Sequence, residues 1–524
     1  MSVRWMKSAL AVGAWSLWLA ACGDPQPSGP DGNPDGRPGG EGSVAVSVDG
    51  LARGEIRTES GDFTCASGLC LLKGQNGSAV TLTATAAPGA VFTGWSGDCS
   101  GTGPCRIDLR STGHKVTASF GLPGAWSRAI GSTGADAVKA VVRDGSGNAT
   151  VVGVLGAEAS IDGQTVAPGL FITQFGSTGS PRWSRSLPLS ASSRVGLAVT
   201  DGGGLLVAGS FSGTVQVGAQ SLTSAGGMDI ALLRLDANGQ PLWAKRFGGT
   251  GQDEAQALAA DAEAHIHLAG KTEGFQFEGA PAPLFAPGFL AELSSSGGYL
   301  AAQTFEGTVN AFAFDTQGRT FVTGWRDQAA DTLIVDCFDT DGAFLWSHTS
   351  KSPSSGLAEG MALSVLADGS LLVAGHFSGY LADVKDGPSA GNDMFLLRFS
   401  LEGTLTSKKL LGGPGWDSVA GMAVDRDGNV LLSGYTRGTS LELGGGELVL
   451  RNDRGHQAFL ARFKPDGTHL SSSAFGGKGQ DSAVALSGGP QGVAVVGLFE
   501  DATHFGDAER TSAGAQDVFL LSLP

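Results

Sequence analysis

The sequence predicts an all-β protein: a seven-bladed β-propeller over residues 123–524, preceded by a small disulfide-stapled β module over residues 43–120. Three observations predict it. Glycine makes up 84 of the 524 residues and charged residues only 16%; this suits short strands joined by tight turns, because glycine enters positive φ at little steric cost. A phrase, FGGTGQDEA at 247–255, recurs as IGSTGADA (130–137), LGGPGWDS (411–418) and FGGKGQDS (475–482). Each copy is followed by a hairpin pattern of alternating apolar and polar residues around a turn, clearest in VAGMAVDRDGNVLLSGYT at 419–436.

The chain opens with MSVRWMKSALAVGAWSLWLAAC. Arg4 and Lys7 precede an apolar run from Ala9 to Ala21, too short to span a bilayer comfortably and of signal-peptide length. Its end, Leu19-Ala20-Ala21-Cys22, resembles the bacterial lipobox. That resemblance implies a leader over residues 1–22, cleavage before Cys22 and acylation of its sulfur. The expected address is therefore export, with the protein held by lipid on the bacterial cell envelope at the outer membrane. Several acyl chains on one residue anchor firmly where one is marginal. Residues 23–42 are rich in proline and glycine without apolar periodicity, as expected of a disordered tether.

Residues 43–120 alternate apolar with polar residues in SVAVSVDG, AVTLTATA and KVTASF, as half-buried strands do. Cys65, Cys70, Cys99 and Cys105 lie here. An exported chain meets an oxidising compartment, so disulfides are expected; of the three pairings, the close pairs would each staple one loop. A four-cysteine zinc site is the rival, but the spacings are looser than a zinc knuckle. The stretch Phe92-Thr93-Gly94-Trp95-Ser96-Gly97-Asp98-Cys99 resembles the divergent internalin-B-type B-repeat. The resemblance implies a spacer or adhesion module of bacterial surface proteins, without catalysis. Trp95 is expected in its core.

Seven hairpins are expected near 138–154, 195–210, 255–270, 309–324, 359–376, 419–435 and 483–498, each followed by a third strand such as DIALLRL or DMFLLRF. Four-stranded units of this kind describe propeller blades, which leave only short protected edges. The chain stops at DVFLLSLP, one strand short, and GAWSRAIG (124–131) is a spare strand before the first hairpin. Pairing the two would close the ring. Small residues in the first strands place those strands at the crowded axis. The repeats resemble the bacterial β-propeller repeat, which implies a propeller and no defined activity.

The motifs that suggest chemistry weaken on inspection. Asp136, Asp253, Asp417 and Asp481 close glycine-rich loops, but a phosphate loop opens a helix and these precede strands. Each aspartate is expected to pin its own turn. Asp-Arg-Asp-Gly-Asn at 425–429 lacks the remaining carboxylates of a calcium loop. Gly387 to Gly391 matches G-x-S-x-G around Ser389, but without a strand-to-helix elbow. His265 and His267 share a strand face with no third ligand in view and read as exposed polar residues, and Cys337 reads as a buried small hydrophobe. The residue after each second-strand glycine is Val154, Ser210, Lys271, Trp325, His376, Tyr435 or Leu498. Lys271, Trp325, His376 and Tyr435 are the candidates for a shallow ligand mouth.

The net charge of −16, without a Lys/Arg cluster, excludes a nucleic-acid footprint. No metal, cofactor or catalytic motif is expected. The reading is a membrane-anchored, non-catalytic scaffold or binding platform for protein or carbohydrate. The alternative is a propeller enzyme, a lyase or hydrolase, acting on an extracytoplasmic glycan; no vicinal cysteine pair or paired-carboxylate motif speaks for it.

Overall fold

The structure is a computed structural model. It describes residues 41–524 apart from 67–68, 110–112, 162, 192–193, 286, 327–331, 352–355, 380, 382–390, 451–454, 478 and 506–507. The leader, Cys22, nearly all of the 23–42 tether and Ser389 with its motif lie outside the described residues.

The fold is all-β; the described residues include one 3₁₀ turn, Asp201–Gly203, and otherwise strands and turns. The N-terminal module is two four-stranded sheets. In one, Glu41–Gly50 runs parallel to His114–Gly121 and antiparallel to Leu69–Gln75. Val44, Val46, Ile56, Leu82, Trp95, Val116 and Phe120 fill the space between the sheets. The disulfides are Cys65–Cys70 and Cys99–Cys105, the two nearest-neighbour pairings. Closing loops this short is worth roughly 2 kcal/mol each. Cys65, Cys105 and Trp95 belong to the same core, and the Trp95 indole donates to the Gly103 carbonyl at 2.7 Å.

Beyond Gly121 the described residues form seven four-stranded antiparallel sheets. Their first strands are Ala137–Arg143, Gly196–Val199, Asp253–Ala260, Thr308–Phe314, Ala358–Val365, Asp417–Val424 and Ser482–Gly489. Each touches the next, and the last touches the first, so the sheets stand around one axis as in a β-propeller. Space at that axis is short: a Cβ on Gly196 would lie 2.6 Å from the Leu258 Cβ of the next sheet. The last sheet takes its fourth strand, Trp126–Ile130, from the front of the chain and pairs it with Asp517–Leu523.

A repeated glycine explains much of the composition. Gly270 in the second strand faces Phe289 in the third, and a Cβ there would lie 2.6 Å from the Glu254 carbonyl and 2.7 Å from the Phe289 ring. The same opposition joins Gly375 to Phe395 and Gly434 to Phe459. In each case the first strand carries an irregularity in register opposite the glycine. The bulge brings backbone close, the missing side chain admits it, and the phenylalanine covers the gap. Apolar cores lie between successive sheets; one of them also takes in Leu51 of the N-terminal module beside Phe475 and Leu523.

Candidate functional site

The recurrent loop acids are internal fastenings. Each accepts the N–H four residues back: Asp136 from Ser132 at 2.6 Å, Asp253 from Gly249 at 2.8 Å, Asp417 from Gly413 at 2.6 Å and Asp481 from Gly477 at 2.8 Å. A second bond ties each of three loops to the second strand or the turn that follows it. Gly156 N–H donates to Asp136 at 2.8 Å, the Thr272 hydroxyl to Asp253 at 2.5 Å and Glu500 N–H to Asp481 at 3.2 Å. All four are buried. Burial pushes the carboxyls of Asp253 and Asp417 up against these hydrogen bonds, and that of Asp481 to about 6. The third strands carry a further set, Asp229, Asp393 and Asp517, which the recurrent phrase did not reveal. Asp393 is raised to about 6 by burial and then by the charge of Asp417.

The four ligand candidates occupy one position in four consecutive sheets, near these loops, and each is engaged within the protein. The Lys271 ammonium lies over the Trp325 ring, 5.8 Å from its centroid. His376 is buried, its Nδ1 lying 3.3 Å from the Ser418 hydroxyl. Burial lowers its pKa to about 4, so its ring is neutral at pH 7. Ser418 is the cross-strand partner of Tyr435, whose ring stacks on His456 at 4.9 Å and 13°. The structure thus joins Lys271 to Trp325, and His376 through Ser418 to Tyr435. Exposed aromatics near these loops are Trp416, which precedes Asp417, and Phe285, which lies against Gly274.

At the opposite end of the inner strands, the hairpin turns of the first three sheets line an open cavity of about 770 Å³. Asp144 fixes the first turn by accepting from the N–H of Ser146 at 2.9 Å and of Asn148 at 2.8 Å. Gln174 and Thr200 line the cavity. The Gln174 amide donates to the Thr150 hydroxyl at 2.9 Å. Its Oε1, like the Thr200 Oγ1, is buried without a hydrogen-bond partner. An unmet buried acceptor costs about 1–3 kcal/mol. Sequence reasoning missed this wall because it depends on which hairpin turns converge. The only signal in the chain was that the turns differ: Asp144, Thr200 and Asp261 occupy one repeat position.

Asp261, at the rim of that cavity, corrects the reading of the histidines. His267 is buried rather than exposed, and its Nε2 lies 2.8 Å from Asp261 Oδ2. His265 Nδ1 lies 2.9 Å from Glu292 Oε1 and 3.5 Å from Asp261 Oδ2. The carboxylates beside the strand pair come from a turn, Asp261, and a neighbouring strand, Glu292. Burial pushes the Asp261 carboxyl up, but the bonds from His267 and the His265 amide outweigh it and hold it below the ordinary range. Cys337 is buried and free, with burial raising its thiol to about 11; that matches a packing residue.

No curated protein matches the chain. Among solved structures, a catalytically inactive virginiamycin B lyase from Staphylococcus aureus with quinupristin is 8% identical. The match covers 76% of this chain and 100% of that one, with a TM-score of 0.40. A protein of unknown function from Bacteroides caccae is 14% identical over 58% of this chain and 89% of its own, with a TM-score of 0.34. BBS1N in complex with ARL6DN is 10% identical over 76% and 95%, with a TM-score of 0.39. Two family models match: the divergent InlB B-repeat domain over residues 57–122 and the beta-propeller repeat over residues 408–442. The chain therefore joins a module of the divergent InlB B-repeat kind to a β-propeller that carries the beta-propeller repeat.

Proposed function

We propose that the protein is a non-catalytic binding module of the bacterial envelope, held there by acylated Cys22 and the 23–42 tether, that takes a neutral, hydroxyl-rich ligand of the carbohydrate class. One observation carries the choice of ligand: the space between the hairpin turns is lined by polar side chains of both hydrogen-bonding kinds, Asp144, Ser146, Asn148, Gln174, Arg182 and Thr200. Sugar hydroxyls both donate and accept, and bring no charge to be desolvated. A volume of about 770 Å³ falls in the range of small-molecule sites and suits a short oligosaccharide. The loop face supports this reading less, since Lys271, Trp325, His376 and Tyr435 already have partners.

The test is a glycan array followed by calorimetry on the mature chain, with Gln174→Ala and Thr200→Val. Retained glycans whose affinity falls in both variants support the proposal. Binding lost instead in Trp325→Ala or Tyr435→Ala would move the site to the loop face, and turnover of a retained glycan would make the protein an enzyme. Mass spectrometry of the membrane-extracted protein tests the anchor: an unmodified Cys22 removes it.

A further inference from the structure

We propose that Asp261, His267 and Glu292, with His265 as a fourth ligand, form a binding site for a divalent transition-metal ion of the zinc class. The inference stands independently of the carbohydrate reading. The ligand atoms of Asp261, His267 and Glu292 all lie within 4.8 Å of one another. His267 and Glu292 are direct cross-strand partners on Ile266–Thr272 and Gly288–Leu293, so the sheet itself sets their separation. Asp261 sits in the turn before His265 and accepts that residue's N–H at 2.7 Å. The turn places Ala264 at φ 62°, one of two non-glycine residues with positive φ among those described. That conformation is rare and costs energy for a residue with a Cβ, and here it delivers both histidines to one carboxylate. The His267 ring also packs on Phe314 of the next sheet, with centroids 4.3 Å apart, which fixes its orientation.

The other sheets supply the control. The residue equivalent to Glu292 in the repeat is Arg398 in the fifth sheet and Arg462 in the sixth. There the arginine pairs with an acid of its own turn, Asp368 or Asp425, so a permanent cation neutralises the turn carboxylate. The third sheet reverses the charge: an acid stands where the arginine stood, and two imidazoles surround it. Two carboxylates beside two imidazoles make a nitrogen-and-oxygen donor set for a divalent ion. Imidazole nitrogen with carboxylate oxygen suits zinc and its neighbours, whereas calcium asks for six to eight oxygens. Tetrahedral bonds of about 2.0–2.1 Å separate ligand atoms by about 3.3 Å. The present 2.8 and 2.9 Å contacts therefore open by about half an ångström as the ion replaces the shared proton.

The experiment uses the mature chain without a polyhistidine tag, stripped by chelator and titrated with Zn²⁺ in competition with a chromophoric chelator. One ion per chain is expected, with affinity falling by about a hundredfold or more in His267→Ala and in Glu292→Gln. His114→Gln, in the N-terminal module, is expected to bind as wild type. Circular dichroism confirms that each variant is folded, and Glu292→Gln carries the test if His267→Ala is not. Absence of stoichiometric binding to the wild type, or equal affinity in folded Glu292→Gln, overturns the proposal. Neither outcome bears on glycan binding, which is measured without metal on Gln174→Ala and Thr200→Val.

Discussion

The indole of Trp183 donates to the Ala237 carbonyl of the next sheet at 3.0 Å while its ring covers Gly239. Trp346 and Gly403 repeat the arrangement, as do Trp126 and Gly179. A fourth-strand tryptophan thus latches one sheet to the turn of its neighbour, and the glycine serves two purposes. Gly239 has φ +74°, and a Cβ there would lie 2.6 Å from the Trp183 ring. Gly239→Ala is expected to cost about 2–3 kcal/mol, from the left-handed backbone and the displaced indole bond. Gly213 has φ +69° with nothing within 4 Å, so Gly213→Ala isolates the backbone part at about 1–2 kcal/mol. Urea melts of the two variants check this; equal losses would mean that the latch contributes nothing.

The buried acids make stability depend on pH in an unusual direction. Asp393 and Asp481 are raised to about 6, against about 3.9 in an unfolded chain. Between those values the folded protein holds more protons than the unfolded one, so stability falls as pH rises through the window and then levels off. Asp253, Asp417 and Asp517 are raised in the same direction, mainly by burial. Asp315 and Asp368 are lowered; their contribution is present above their unfolded pKa and is lost only as pH falls further. His376, lowered by burial to about 4, acts in the opposite direction between about 4 and 6.5, because there the unfolded chain holds the extra proton; the contribution of the acids is therefore read by substitution. Asp393→Asn mimics the protonated form and should stabilise by about 1–3 kcal/mol at pH 7.5, with little effect at pH 4.5. Thermal melts at the two pH values decide it, and a benefit equal at both would show that Asp393 does not titrate in this window.

The parts of this molecule legible in sequence are those written many times or written locally. Alternation on either side of a turn, such as Asp-x-x-Gly-Asn at 144–148 and 425–429, announces the strands, and Gly-Trp-Ser-Gly-x-Cys announces the N-terminal module. Asp253 could be read as a turn pin because its N–H donor, Gly249, is four residues away. Asp229 makes the same bond, accepting from the Ala225 N–H at 3.0 Å, but its loop, SAGGMD at 224–229, does not repeat the phrase that drew attention to Asp253. Of the histidine cluster, His265 and His267 are visible as face-mates, but Glu292 joins them only through the register of a partner strand. The cavity acceptors fail for a related reason: Gln174 and Thr200 look like ordinary polar strand and turn residues until three turns from three sheets converge on them.

Closure of the ring gives the last prediction. Trp126–Ile130 pairs with Asp517–Leu523 from Ser522↔Trp126 to Val518↔Ile130. Arg510 donates to the Ser127 carbonyl at 2.9 Å, and the Trp126 indole donates to the Ser177 carbonyl at 2.7 Å across the seam. Asp517–Leu523 is buried along its whole length. Without its partner it becomes a long apolar edge with unpaired N–H and C=O groups, which templates association with other chains. A chain beginning at Pro123 is expected to be monomeric, and one beginning at Ser132 to melt at a lower temperature and associate. A peptide spanning residues 122–132, added to the shorter chain, should restore both properties by strand addition. Size-exclusion chromatography with light scattering, alongside melting, reads all three samples. If the shorter chain stays monomeric with an unchanged melting temperature, the front strand is an ornament on a ring already closed without it. Because that peptide carries Trp126, a second peptide with Trp126→Ala separates the two parts: weaker rescue by it assigns the difference to the latch on the first sheet, and equal rescue assigns the whole effect to the ladder.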